Sequence, residues 1–492
     1  MCLLCSYGGR NIHNSQGLEY IGSNSLGNIL SETSDAPNST STSYSISAGD
    51  SFSGNLSSSG DRDAVAIRLN AGSVYEFNLT GSRSGDGTLS DPYLRLYDSN
   101  ETLIQFNDDG GSGLESRISF TASNSGTYYL SAGSYADRHS GSYLLSTTEL
   151  RAYGDFAPST NLSSSNTWSG IDRNNVFMQG LEWETACRWG NADPSTTTTS
   201  LNYFTYDGGT TIGGYNAGPL LAEERIGYIA AMDAFSSVAN LTFSEGNTDR
   251  ESHILWASLD LDTLLGQGLL GVAVPPDVAG SDIGSSGMPI GVTTVSYPFY
   301  SSNGRPIRSD IFSSGTFLRT LAMHELGHSL GLAHPHNFGL FPGVTRNNSS
   351  DSGDNGLNAA PYTVMTYNFL GTNDYNPSSY WDTSGFMETL GAFDIAATQS
   401  LYGANTNTST GNNTYSLDSS ALNGWNCLWD NGGEDTITAV GQTDSVSIDL
   451  RNATLENSVG GGGFISRLGT QNIGYTIAFN STGSCIIENA IG

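Results

Sequence analysis

Four of the seven histidines in this chain fall within thirteen residues, in the segment MHELGHSLGLAHPH at 323–336. His324 and His328 stand at i and i+4. On a helix that spacing puts both imidazoles on one face, about one turn apart. Two nitrogens so placed can reach one Zn²⁺ at ~2.0–2.1 Å. Glu325 lies beside the first histidine, where its carboxylate can lean toward a metal-held water. Gly331 follows His328 by three residues and can take φ > 0, ending the helix sharply. The turned chain then brings up His334 as a third ligand. Three neutral imidazoles leave Zn²⁺ dipositive with an open position for water, the arrangement of catalytic sites. HExxHxxGxxH fixes five positions in eleven, so the signal is specific. His336 lies outside the spacing and reads as an exposed loop residue.

The rest of the chain must house that helix. With 492 residues it is long enough for about three domains at the usual ~150 residues each. Lys+Arg number 18 against 48 Asp+Glu, a net charge of −30, and every cation is Arg. Such a surface repels phosphate backbones and excludes nucleic-acid partners. It suits cations, Ca²⁺ among them, and an extracellular setting. No apolar run approaches ~18 residues, so no membrane insertion is expected. The start, MCLLCSYGGRN, is not a standard secretory signal.

Residues 1–44 are Ser/Asn/Gly-rich and read as a disordered leader or propeptide. From 45 to 148 short alternating runs (64–69, 74–79, 93–98, 117–122, 127–133, 142–148) separated by turn clusters predict a β-sandwich. Residues 149–166 read as a linker. Ala222, Ile226, Ile229, Ala230 and Ala234 share one face of a predicted helix at 221–239. Further helices are expected at 316–330 and 388–401, and strands at 201–207, 241–245 and 253–258. Helices mixed with a small sheet predict an α+β domain over 167–405. Short strands return over 406–492.

Downstream of the histidines lies YTVMTYN, with Met365 and Tyr367. With HELGHSLGLAHP, whose third histidine precedes Pro335, it resembles the serralysin branch of the metzincin zinc peptidases. The likeness extends through AEERIGYIAAMDAFSSVANLTFSE (222–245), GVAVPPD (271–277) and GAFDIAATQSLYGAN (391–405), and covers about 170–492. It implies a metzincin catalytic domain in which Met365 packs beneath the metal. It implies that Tyr367 is a switchable extra zinc ligand and oxyanion donor, and that 271–274 is an edge strand pairing with substrate. LWDNGGEDTI (428–437) resembles the family's calcium-binding entrance to a parallel β-roll. The implied Ca²⁺ ligands are Asp430, Asp435, Glu488 and backbone groups at Ser409, Gly411, Gly432 and Gly433. Asn413 and Ser409 depart from the family's side chains there. The family's nonapeptide repeats do not appear, which puts its type I export in doubt for this chain, although the lack of an N-terminal signal suits that route.

Residues 45–148 resemble a bacterial pre-peptidase C-terminal domain, with Asp108 and Asp109 as candidate Ca²⁺ ligands. Cys427 and Cys485 flank the presumed calcium strands and are expected to pair. Cys2 and Cys5 could supply a thiolate that blocks the water position in a zymogen; a free tail is the simpler reading. The chain as a whole reads as multidomain: β-sandwich, α+β metzincin domain and C-terminal β segment. Its expected role is a secreted zinc-dependent endopeptidase of broad specificity acting on proteins or peptides. Glu325 would be the base and Tyr367 the oxyanion donor. The rival classes are a non-catalytic adhesin and a calcium-dependent structural protein of the cell surface. Zinc content and casein cleavage discriminate among them.

Overall fold

The computed structural model describes residues 28–70, 73–151, 158–159, 162, 171–183, 187–190, 193–207, 211–212, 215–218, 220, 222–247, 252–260, 271–273, 276, 292–297, 314–368, 385–420 and 422–492. They fall in two compact units, divided at Ala157/Pro158.

In the first unit, strands β1 (Ile29–Ser31), β2 (Ser45–Ile46), β3 (Ser51–Leu56), β4 (Asp63–Leu69), β5 (Val74–Thr80), β6 (Pro92–Tyr97), β7 (Leu103–Asn107), β8 (Ser116–Thr121), β9 (Gly126–Ser134) and β10 (Gly141–Arg151) build two five-stranded sheets. Their orders are β1-β3-β10-β5-β8 and β2-β4-β9-β6-β7. Alternation decides which side chains go inward. Phe52, Phe77, Leu79, Leu94, Leu96, Leu130 and Leu145 are all fully buried in one core. Burying each such side chain contributes roughly 1.5–3 kcal/mol. Gly54 makes room for Tyr143: a Cβ there would lie 2.3 Å from the phenol oxygen. That phenol donates to the buried Asp63 carboxylate at 2.7 Å.

The sandwich was legible, but its start was not. Part of the expected leader is sheet, because β1 pairs in parallel with Ser51–Ser53 and Tyr44 is buried. The expected linker is also shorter: β10 runs on to Arg151, and Pro158–Ser159 pairs with Arg188–Trp189 in the second unit.

Among the described residues, the second unit centres on four helices: α1 (Val176–Leu181), α2 (Ala222–Val238), α3 (Phe317–Ser329) and α4 (Ala392–Tyr402). Thr199–Thr205 lies parallel to both Leu241–Glu245 and Ile254–Asp260, and the latter continues in parallel to Val292–Tyr297. Gly271–Val272 closes this edge antiparallel to Val295–Thr294. The buried face of α2 is not the expected one. It carries Glu224, Tyr228, Ala231, Met232, Phe235 and Val238, while Ile226 is 64% exposed. Glu224 is accommodated because Ser258 donates to its carboxylate at 2.8 Å. The α3 helix is buried on every side.

Beyond α4, Thr414–Ser416, Thr436–Thr438 and Asn489–Ile491 form a three-stranded parallel sheet. Trp425–Leu428 lies parallel to Gly474–Ile477 in a second sheet. Cys427 and Cys485 are both buried and both free thiols, so the expected disulfide is absent. Burial pushes the Cys427 thiol far above its usual range and that of Cys485 up to about 11.

Candidate metal centre

The α3 helix begins at Thr316, whose hydroxyl accepts from the Arg319 amide, and ends in a Schellman turn. The Leu332 amide donates to Gly327 at 2.8 Å and the Gly331 amide to His328 at 3.0 Å. Gly331 sits at φ 104°, and a Cβ there would lie 2.2 Å from the Cys187 carbonyl. Only glycine fits, as the sequence indicated. Trp189 Nε1 donates to the Ser329 carbonyl at 2.9 Å, and the Tyr402 hydroxyl donates to that of Leu330 at 2.8 Å. These two side chains occupy carbonyls that the helix end leaves open. The chain then doubles back, with the Ala333 amide donating to Leu181 at 2.7 Å, and delivers His334 to the site.

His324, His328 and His334 converge as expected, with one ligand atom of each within 4.8 Å of the others. His334 Nε2 lies 2.9 Å from His324 Nε2 and 3.1 Å from His328 Nε2. Each Nδ1 faces an oxygen that only accepts: Val364 O at 2.8 Å, Leu332 O at 2.8 Å and Asn337 Oδ1 at 2.9 Å. The protons therefore sit on Nδ1, and three Nε2 lone pairs point at one another. Neutral imidazoles so arranged repel unless a cation lies between them. Burial is also the main reason that His324 and His334 are held well below the usual histidine pKa. The donor set, its tautomers and its outer partners fit Zn²⁺.

Met365 is fully buried beneath the helix, and a Cβ on Gly327 would lie 2.7 Å from its sulfur. Its turn is anchored by Asp394, on α4. That carboxylate accepts from the Thr363 hydroxyl at 2.5 Å, the Val364 amide at 2.7 Å and the Gly391 amide at 2.8 Å. Burial raises the Asp394 carboxyl to about 7 against these hydrogen bonds. Asp394, Asn337, Trp189 and Tyr402 support the site and were not singled out from the sequence. Asp394 and Tyr402 both lie in the segment GAFDIAATQSLYGAN (391–405), which was read only as a helix resembling the family's.

Glu325 is 1% exposed, and the start of the edge strand rests on it: a Cβ on Gly271 would lie 2.2 Å from Glu325 Oε1. The Tyr367 ring stands 5.7 Å from that of His324 and 4.8 Å from that of His334. The expectation for His336 was wrong. It is 5% exposed, stacked on His334 with ring centres 4.8 Å apart. A residue two beyond His334 follows it inward once Gly331 has turned the chain. Val274, the last residue of the expected substrate strand, lies outside the described residues.

The candidate calcium residues form a separate group. Asp430 and Asp435 are fully buried. Asp430 accepts from the Tyr415 hydroxyl at 2.5 Å and the Gly432 amide at 3.0 Å. Asp435 Oδ1 accepts from the Asn413 amide at 2.6 Å, and Glu488 accepts from the Asp435 amide at 2.8 Å. The Ser409 carbonyl accepts from Asn431 at 2.9 Å. Gly432 and Gly433 have φ of 118° and 141°, and a Cβ on Gly433 would lie 2.5 Å from the Gly411 carbonyl. Burial raises the Asp435 carboxyl, and the neighbouring Asp430 and Glu488 add to the rise. Asp430, Asp435 and Glu488 are not among the acidic trios whose oxygens come within 4.8 Å; Asp91, Asp108 and Asp109 are, as are Glu32, Asp35 and Asp63.

No protein-family model matches the chain. Metallopeptidase AprA of Pseudomonas marginalis is 30% identical over 251 residues, 49% of this chain and 48% of that protein. Serralysin of Proteus mirabilis is 30% identical over 178 residues, 30% of this chain and 35% of its own length. Serralysin C of Dickeya chrysanthemi is 29% identical over 286 residues, 53% and 50% respectively. The chain thus spans about half the length of the curated relatives it matches. The crystal structure of the pre-peptidase C-terminal domain of a Bacillus anthracis collagenase aligns at 18% identity, covering 21% of this chain and 93% of that one, with a TM-score of 0.18. Over about half its length, the chain is homologous to the serralysin and AprA metallopeptidases.

Proposed function

We propose that this protein is a zinc-dependent endopeptidase of the metzincin type, secreted and acting on extracellular proteins or peptides. The observation that carries the reading is the convergence of three Nε2 lone pairs whose Nδ1 protons are all engaged elsewhere. Bound there, Zn²⁺ supplies Lewis acidity and acidifies water. Glu325 takes the proton of the attacking water on its carboxylate and delivers it to the leaving amine. The Tyr367 hydroxyl donates to the developing oxyanion. A substrate strand lies against the edge that begins at Gly271, held by main-chain hydrogen bonds, which favours broad sequence selectivity. Asp430, Asp435 and Glu488, with backbone carbonyls at Ser409 and Gly411 and the turn at Gly432 and Gly433, hold Ca²⁺ in a segment resembling the start of a parallel β-roll.

The test is zinc content by mass spectrometry together with casein cleavage, with and without chelator. One zinc per chain and chelator-sensitive cleavage are expected. Zinc-loaded protein that cleaves nothing overturns the reading.

A further inference from the structure

His336 has no place in the zinc-ligand spacing, yet it is buried beside the site. Its ring lies nearly parallel to that of His334, at 17° and 4.8 Å between centres. It also lies 5.1 Å from the Tyr367 ring. The backbone holds it there: the Asn347 amide donates to the His336 carbonyl at 2.7 Å, and Asn337 anchors His334 on the other side. Among the described residues its buried Nδ1 has no hydrogen-bond partner.

Two geometric facts narrow its role. Imidazole lone pairs lie in the ring plane. Two rings stacked in nearly parallel planes, 17° apart and 4.8 Å between centres, cannot both aim in-plane lone pairs squarely at one point, so His336 is not a fourth ligand beside His334. What its ring does meet is Tyr367, which is left between His324, His334 and His336. A phenol that must reach a developing oxyanion loses rate if it rotates away, because positioned groups act through a restricted range of orientations.

We propose that His336 is a positioning residue that packs its ring on Tyr367 and holds the phenol against the histidine tripod. The proposal rests on the zinc-peptidase reading and on Tyr367 as its oxyanion donor.

The experiment uses the full chain as wild type, His336→Ala, His336→Phe, Tyr367→Phe and His336→Ala combined with Tyr367→Phe. Zinc stoichiometry, kcat and KM on a peptide substrate are measured for each. The visible phenolate-to-copper absorption is measured after replacing zinc with Cu²⁺. His336→Ala is expected to keep one zinc, lose about 10-fold in kcat with KM within about twofold, and weaken the copper band. His336→Phe restores both, since ring packing and not the nitrogen is used. With Tyr367→Phe in place, His336→Ala costs nothing more, the mark of coupled residues. Independent losses in the double variant overturn the proposal. So do an unchanged kcat in His336→Ala, loss of zinc from it, or a zinc-loaded His336→Phe as slow as His336→Ala. A zinc-loaded, active wild type indifferent to Tyr367→Phe also overturns it. Wild-type protein that holds no zinc overturns the underlying reading as well.

Discussion

Asp394 and His324 are linked through a single residue of the turn between them. Val364 gives its amide proton to Asp394 at 2.7 Å, and its carbonyl accepts the His324 Nδ1 proton at 2.8 Å. The carboxylate thereby fixes the turn that fixes the tautomer and plane of His324, a candidate metal ligand. Asp394→Asn keeps the shape but replaces one acceptor with a donor. Loss of such an outer partner typically costs 10–100-fold in metal affinity. A competition titration with a zinc chelator is expected to show a weakening of about that size; an unchanged affinity would leave Asp394 a purely structural residue.

Glu325→Ala removes the base without touching a ligand. Zinc should stay stoichiometric while kcat falls by ~10²–10⁴-fold. Activity within a few-fold of wild type would take the base assignment away from Glu325.

Gly271→Ala forces a methyl to within 2.2 Å of Glu325 Oε1. Either the carboxylate or the edge strand must shift, and a displacement of ~1 Å at a reacting group can cost ~10²-fold. Peptide hydrolysis is expected to drop by about that factor while zinc binding persists. A fully active variant would separate the edge strand from the chemistry.

Asp63, in the sandwich, gives a pH signature of definite sign. Burial raises its carboxyl to about 7, against ~3.9 in an unfolded chain. The folded state therefore binds the proton more tightly. The resulting stabilisation is complete below about pH 4 and is lost as pH rises through about 7. In calcium-free buffer, melts of wild type and Asp63→Asn between pH 4 and 7 should show the sandwich transition falling with pH only in wild type. Parallel profiles would contradict this.

Added Ca²⁺ should raise the melting temperature of the 406–492 segment, because a cation bound only by the folded form stabilises it. The buried Oδ2 of Asp435 has no hydrogen-bond partner among the described residues, so Asp435→Ala should erase most of that rise. Calorimetry with and without Ca²⁺ reads it directly, and a calcium-independent wild-type melt would count against the site.

The convergence of His324, His328 and His334 was legible because its geometry is local: one helix, one glycine turn and eleven residues. Met365 and Tyr367 were legible only through resemblance, since nothing in YTVMTYN itself places it under a helix 40 residues earlier. Asp394 escaped notice because its role depends on docking α4 against that turn. The α2 face was misread because counting only apolar residues favoured Ile226 over Glu224, which is buried with a serine partner supplied by another strand. His336 was misplaced for a similar reason: polarity suggested solvent, while the reversal at Gly331 carried it inward. The β1 strand was missed because three exposed residues, Ile29–Ser31, carry no alternating pattern.

The Schellman turn at Gly331 divides the three convergent histidines between a helix and the strand of chain that leaves it, two on one side and one on the other. Fraying of the last turn of α3 must pull His334 away from its partners, so an ion held by all three is a clasp across the helix end. Amide hydrogen exchange at Leu330, Gly331 and Leu332 then becomes a local gauge of metal occupancy, slowing as the ion suppresses opening there, while the amides of the sandwich keep their own rates.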